Sequence, residues 1–484
     1  MDHGMTAAEI RRHLGHPVID VDGHLQELSN FFRDDVMDRA REVGGARLAD
    51  KVANTSLTYN EQLMANWFTM TEEQRRDVWA PTMAWWAIPT EANDRAASYL
   101  PALLHERLDE LGIDFTILYP SLGLSLSSIP DDEIRQVACH VYNTMNAELY
   151  RNYADRITPV GVIPATTPTE AIAELEHAVL DLGLKAIVTG FVRRPIPKVA
   201  REQPGLANLA QRLDTFGIDS DYDYDPFWQR CVDLGVAVGL HSSEQGWGSR
   251  RSISRYNYNH IGCFAAAGDS LAKSLFMGGV TARFPSLNFV FLEGGVGWAC
   301  TLLSDLVSHW EKRNGETIHD LDPAKLDIDE MERLFRKYAP ARYQSEIGAV
   351  REFFERPEHR PAELDDWKAC GIDTAEDIKR LFVDPFYFGC EADDPINAWA
   401  FNTKVNRFGV KLKAVFGSDL GHWDVKDLSG VLCEAYELVE DGLVAEDDFR
   451  DFMFTNPARL YTQSNPDFFK GTVCEQAVAD LRVI

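Results

Sequence analysis

Polar side chains close five apolar runs of this 484-residue chain, and most of them are types that bind metal ions or move protons. The first run passes into Asp22-Gly23-His24-Leu25-Gln26-Glu27. Others end at His241 with Glu244 behind it, at Glu293-Gly294-Gly295, at Cys390-Glu391, and at Gly417-Ser418-Asp419 with His422 three residues on. In an extended segment, side chains two apart face the same way, so Asp22 and His24 offer a carboxylate and an imidazole to one ion. Alone, Asp-x-His is as readily a capping Asp beside a surface His. With His241 and Asp419 closing two other runs, the set becomes two imidazoles and two carboxylates. That set suits Zn²⁺, Mn²⁺ or Fe²⁺, its oxygen content favouring the harder two. One ion is expected. Glu27 and His260 either extend the set to a second ion or serve as a helix-first-turn carboxylate and a pocket wall.

The loop after His241 carries Arg250, Arg251 and Arg255. It is either solvated surface or the holder of a substrate carboxylate in bidentate fashion. Arg250, Arg255 and Trp298 are the residues expected at the substrate, and Glu293, Asp419 and His422 the catalytic ones. His105, His140 and His177 lie inside helix-period segments and are given no catalytic part. There is no G-x-S-x-G elbow, no Walker A loop, and no G-x-G-x-x-G between a strand and a helix.

These side chains act together only if their runs converge. Eight short apolar segments alternate with helix-period stretches: 17–21, 115–119, 157–163, 184–188, 236–240, 287–292, 386–389 and 412–416. Continuous apolar runs are the mark of parallel strands buried on both faces, and eight of them predict a (β/α)8 barrel whose strand C-termini share one mouth. Helical faces fall between them, such as Ile134, Val137, Val141, Met145 and Leu149, or Leu271, Leu275 and Phe276. Two connections exceed the usual length, about 31–100 after the first strand and about 311–380 after the sixth, and both are expected to be helical caps on one domain spanning 1–484. The first is rich in Met64, Trp67, Phe68, Met70, Trp79, Met83, Trp85 and Trp86, which read equally as a lid or as a helical core or dimer contact.

Composition narrows the partners. Lys and Arg number 48 against 76 Asp and Glu, a formal net charge of -28, which repels nucleic acid and anionic lipid. The N-terminus has no apolar h-region, and the greasiest stretch, 287–303, is broken by Asn288, Glu293 and glycines. A soluble cytoplasmic protein acting on a small molecule, without nucleic acid or membrane and as a homo-oligomer (a dimer), is expected. Eight scattered cysteines without a CxxC pair fit reduced, mostly buried thiols.

Several stretches together resemble the amidohydrolase superfamily, specifically the amidohydrolase-related branch of metal-dependent hydrolases and decarboxylases. They are IDVDGHLQE at 19–27, RLDELGIDFTILYPS at 107–121, FMGGVTARFPSLNFVFLEGGVGW at 276–298, FGSDLGHWD at 416–424 and NPARLY at 456–461. The resemblance implies that Asp22 and His24 are the first-strand metal pair, His241 the fifth-strand ligand, and Asp419 the eighth-strand carboxylate that binds metal and handles a proton. His422 matches the histidine of the S-D-x-P-H pattern, with Gly421 standing where that pattern has Pro. A carboxylate before His24, in place of His-x-His, tilts the implied reaction toward non-oxidative decarboxylation over hydrolysis, and the long insertions weaken that tilt. Two further readings stay open: a dinuclear iron or iron/manganese oxygenase using Glu27 and His260, and a catalytically silent barrel serving as a binding subunit.

Overall fold

The computed structural model describes residues 4–57, 67–82, 91–121, 123–241, 250–355, 364–422 and 425–481. Its centre is a parallel eight-stranded sheet in the order β1 (Ile19–Leu25), β2 (Phe115–Pro120), β3 (Ile157–Ile163), β4 (Ala186–Thr189), β7 (Val238–Leu240), β8 (Phe289–Phe291), β9 (Phe386–Glu391) and β10 (Lys413–Gly417). Each expected run overlaps one of these strands, with ends that differ by up to four residues. β7 and β8 are shorter than their runs mainly at the start, since pairing between them begins at Val238 and Phe289 and ends at Leu240 and Phe291. Backbone bonds from Asp419 N to Asp22 O and from His24 N to Leu420 O, each 2.9 Å, draw the last strand to the first. The architecture is a (β/α)8 barrel with helices around it.

Between β4 and β7 lies an antiparallel hairpin absent from the sequence reading, β5 (Val192–Pro195) with β6 (Gln211–Asp214). Its sequence carries charges in place of an apolar run. It is held by Arg194, whose guanidinium pairs with buried Asp214 and donates to Tyr224 Oη. The helix Asp132–Tyr150 also departs in detail: Ile134, Val137 and Val141 are buried, but Tyr142, Asn146 and Tyr150 complete the face while Leu149 is 51% exposed. Leu271, Leu275 and Phe276 are buried in Cys263–Met277. All eight cysteines are free thiols, seven of them buried. Among the described residues no helix is long and apolar enough to cross a membrane.

The connection after β1 contains the helices Ser29–Ala53, Glu72–Asp77 and Ala92–Tyr99; Met64, Met83, Trp85 and Trp86 lie outside the described residues. It reaches the loop that follows His241: Thr82 N donates to Ser252 O at 2.8 Å, Asn259 Nδ2 to Thr82 O at 3.3 Å, and Trp79 Nε1 to Arg251 O at 3.3 Å. The connection after β8 contains Ile328–Tyr338, Ala341–Gln344 and Ile347–Phe354, a largely exposed helical group in which Arg351 pairs with Asp329, Glu332 and Glu355.

One buried carboxylate ties the barrel's ends together. Asp20 is fully buried on β1; its Oδ2 accepts from Thr116 Oγ1 on β2 at 2.6 Å and from Ser418 Oγ at 2.8 Å, and its Oδ1 accepts from Ser418 N at 2.8 Å. Asp20→Ala strands these donors in the core. The expected result is a lower denaturant midpoint, equivalent to about 1–3 kcal/mol, with a smaller loss in Asp20→Asn. An unchanged midpoint in Asp20→Ala would show that Asp20 does not secure the seam.

Candidate metal centre

The mouth gathers side chains from the ends of four strands. A bulge between Asp20 and Gly23 shifts the β1–β2 register just before His24, a device that re-aims side chains. His24 Nε2 then lies 3.4 Å from Asp22 Oδ1, 3.5 Å from Asp419 Oδ1 and 3.3 Å from His241 Nε2. His241 Nε2 is 3.8 Å from Asp22 Oδ1 and 3.3 Å from Glu293 Oε2. Atoms bound to one ion at about 2.1 Å stand about 3.0–3.4 Å apart, close to these separations. Asp22, His24, His241 and Asp419 are each no more than 3% exposed.

The tautomers can be worked out from the partners. His24 Nδ1 faces the Pro120 carbonyl at 3.3 Å; a carbonyl only accepts, so Nδ1 carries the proton and Nε2 presents its lone pair to the cluster. His422 stacks on His24 at 3.7 Å, with Nδ1 2.7 Å from Asp419 Oδ1 and Nε2 3.1 Å from Ser121 Oγ. Gln26 Nε2 donates to that Ser121 oxygen and to Gly421 O, each at 3.0 Å. Ser121 therefore has its own proton to give to His422 Nε2, which leaves the imidazole proton on Nδ1, toward Asp419.

Electrostatics ask for a cation here. Burial pushes Asp22 up to about 6, against the pull of His241 and His422. Burial also raises Asp419 well above the carboxylate range, and the nearby charges of Asp22 and Asp20 add to it. His24 is held well below the usual imidazole range by burial, with His422 adding. Asp22 Oδ1 and Asp419 Oδ2 are buried and accept no hydrogen bond among the described residues. Buried carboxylates share the site with His24, which burial disfavours in its charged form, and a divalent ion on Asp22, His24, His241 and Asp419 would supply a compensating charge. The residues fit such an ion.

Residues 77–343, more than half of the chain, match the Amidohydrolase family. The chain belongs to the amidohydrolase family. Members bind a divalent metal, and this amidohydrolase is an enzyme. The matched segment holds His241, His260 and Glu293; Asp22, His24 and Asp419 lie on either side of it. Among solved structures, the chain is similar to an amidohydrolase from Mycobacterium avium subsp. paratuberculosis, at 18% identity and TM-score 0.52, over 92% of this chain and 99% of the other. It is also similar to 2,6-dihydroxybenzoate decarboxylase from Rhizobium (15%, TM-score 0.45, 92% and 99% covered). A third is 4-oxalomesaconate hydratase from Rhodopseudomonas palustris (13%, TM-score 0.45, 96% and 99% covered). No curated protein matches.

The other expected site residues of this amidohydrolase are spread more widely. Glu293 joins the cluster through His241, and His260 Nε2 stands 3.9 Å from Glu293 Oε1, with its pKa lowered to about 4 chiefly by burial and also by His422. Glu27 goes elsewhere: Tyr142 Oη donates to its Oε1 at 2.7 Å and Gly123 N at 3.0 Å, so it braces the loop after β2. Arg250 lies against Gly262, next to the His260 helix; Arg255 is exposed and donates to Ser254 O. Trp298 packs between Phe291 and Phe388, at 5.6 and 5.4 Å, and against Gly268. Glu244 lies outside the described residues.

Asp20, Gln26, Ser121 and Ser418 were given no role by the sequence reading. Their signal is faint, since Gln26 and Ser121 matter only because 95 residues apart they meet over His422. Backbone conformation marks the same place. Glu293 and Asp419 adopt φ of 57° and 49°, left-handed values that cost about 1–3 kcal/mol in a residue other than glycine. Gly421 has φ of 96°, and a Cβ on it would stand 2.7 Å from His24 O. Proline, fixed near −65°, cannot take that conformation, so this loop as folded requires the glycine that departs from the S-D-x-P-H pattern.

Proposed function

We propose that this amidohydrolase acts on a small carboxylated cyclic or aromatic substrate, by non-oxidative decarboxylation or by hydrolysis, with the former as the leading reading. The observation that carries it is the buried convergence of Asp22, His24, His241 and Asp419, with Glu293 and His422 beside them. When bound there, a divalent cation supplies positive charge that polarises a substrate oxygen and makes nearby water more acidic.

The chain's own residues do the rest. Asp419 Oδ1 and His422 Nδ1, 2.7 Å apart, form the pair that takes a proton from the attacking group or delivers one to the reacting carbon. Gln26 and Ser121 keep the His422 proton on the side facing Asp419. Arg250 is the cation offered to the substrate carboxylate. The connection after β1 is bonded to the loop after His241 at Ser252, and as a cap there it would keep water from the reacting groups. Glu27 is engaged with Tyr142, which speaks against the two-iron oxygenase reading.

Ser121→Ala tests the positioning. It should leave metal content unchanged and lower kcat about tenfold with a displaced pH profile, and Ser121→Thr should restore both. Unaltered kcat and pH profile would free His422 from Ser121. The reaction itself is decided by incubating the metal-loaded enzyme with hydroxybenzoates and with cyclic amides and lactones, following CO₂ and ring-opened acid separately. CO₂ from an aromatic acid supports the leading reading, ring opening alone replaces it with hydrolysis, and neither product removes both.

A further inference from the structure

Outside the barrel mouth, a second group of metal-binding side chains is assembled between two outer helices. His140 lies on the helix Asp132–Tyr150, and Glu174 on Pro168–Glu176. His177 opens a π-helical turn, His177–Asp181, that continues the second helix. One ligand atom from each of the three lies within 4.8 Å of the others. We propose that His140, Glu174 and His177 form a second cation site, for Zn²⁺ or a similar borderline divalent ion, which pins these two helices together.

The cluster is also a helix contact, with Thr144 Oγ1 on the first helix 3.2 Å from His177 Nε2, and an ion would have to displace that hydroxyl. The two imidazoles stack at 3.8 Å between centroids with 20° between planes. Glu174 is a half-satisfied carboxylate at 9% side-chain exposure. Its Oε1 accepts from Asn143 Nδ2 at 2.6 Å, while among the described residues its Oε2 has His140 Nδ1 at 3.6 Å. Among the described residues no lysine or arginine pairs with it; the nearby Arg135 is taken by Glu170 and Asp132. Two imidazoles with one carboxylate is a zinc-type ligand set. The wide turn matters because π turns gather at functional positions. It brings Asp181 Oδ2 to 3.1 Å from His177 Nδ1, a partner that orients the ring.

The site would also be wired to the barrel. Asn143, which holds Glu174, exchanges two bonds with Val162 on β3, donating to Val162 O at 3.0 Å and accepting from Val162 N at 2.7 Å. His140 and His177 retain side-chain exposures of 31% and 16%, enough for an ion to enter and for either ring to be trimmed without emptying the core.

The test is equilibrium dialysis of the enzyme, with its barrel metal in place, against micromolar Zn²⁺, followed by elemental analysis and thermal unfolding. The wild type should take up one zinc per chain beyond the barrel content and melt several degrees higher. His140→Ala and His177→Ala should each lose that equivalent and the melting shift while keeping the barrel metal and the basal activity. Glu174→Gln, which preserves the bond from Asn143, should bind the zinc at least tenfold more weakly. A wild type that takes up no extra zinc overturns the proposal without reference to any variant. So does an extra equivalent that persists in both histidine variants. A melting shift that follows pH but not zinc would identify the stacked pair as a proton site instead.

Discussion

Asp419→Asn should keep much of its metal and lose on the order of 10²-fold or more in kcat. The substitution preserves shape and one oxygen ligand, and the backbone bond from residue 419 to Asp22 O does not involve the side chain. What disappears is the carboxylate 2.7 Å from His422 Nδ1, the group assigned to take or give the proton. His422→Ala provides the contrast. Its ring stacks on His24 and bonds Ser121, so its loss should leave the metal and cost less activity. Metal content and single-turnover rate in both variants decide the matter. Turnover near normal in Asp419→Asn would remove that carboxylate from the mechanism, and equal losses in both would make the two residues one relay.

His241→Ala should weaken metal binding by at least tens of fold while the barrel stays folded. Its Nε2 stands within 3.8 Å of His24, Asp22 and Glu293, so trimming it opens the cluster on the side of β7 and β8. The strand beneath is held by Val238 and Leu240, which the change does not touch. Circular dichroism and elemental analysis after dialysis read fold and metal separately. Full occupancy surviving in a His24→Ala, His241→Ala double variant would place the ion elsewhere.

Both variants concern residues visible in the sequence because each closes an apolar run. That kind of legibility has a physical origin: parallel barrel strands are buried on both faces and read as unbroken hydrophobic segments, so a His or Asp at the end stands out. Asp20 failed to stand out because it sits inside such a run, and its partners Thr116 and Ser418 are 96 and 398 residues away. The alternation that paired Asp22 with His24 also includes Asp20, but the bulge that sets the final aim of these side chains leaves no composition signal. The β5–β6 hairpin escaped for the opposite reason: an Arg194–Asp214 pair stabilises it, and charged strands look like loop. Glu27 was legible as a carboxylate near the mouth, while its capture by Tyr142 depends on a residue 115 positions on.

The seam between β10 and β1 has a consequence in time. Ser418 and Asp20 meet across 398 residues, so during synthesis the first strand waits for nearly the whole barrel before its closing partner exists. Contacts of that separation are slow to form. Until then Asp22 and His24 have neither Asp419 nor the bonds that join Asp419 N to Asp22 O and His24 N to Leu420 O. Loading of an ion held by these residues would therefore be a late event, coupled to ring closure. In the finished protein, the amide protons of His24 and Asp419 should exchange with solvent more slowly as the ion binds, making those two hydrogens a gauge of occupancy that needs no substrate.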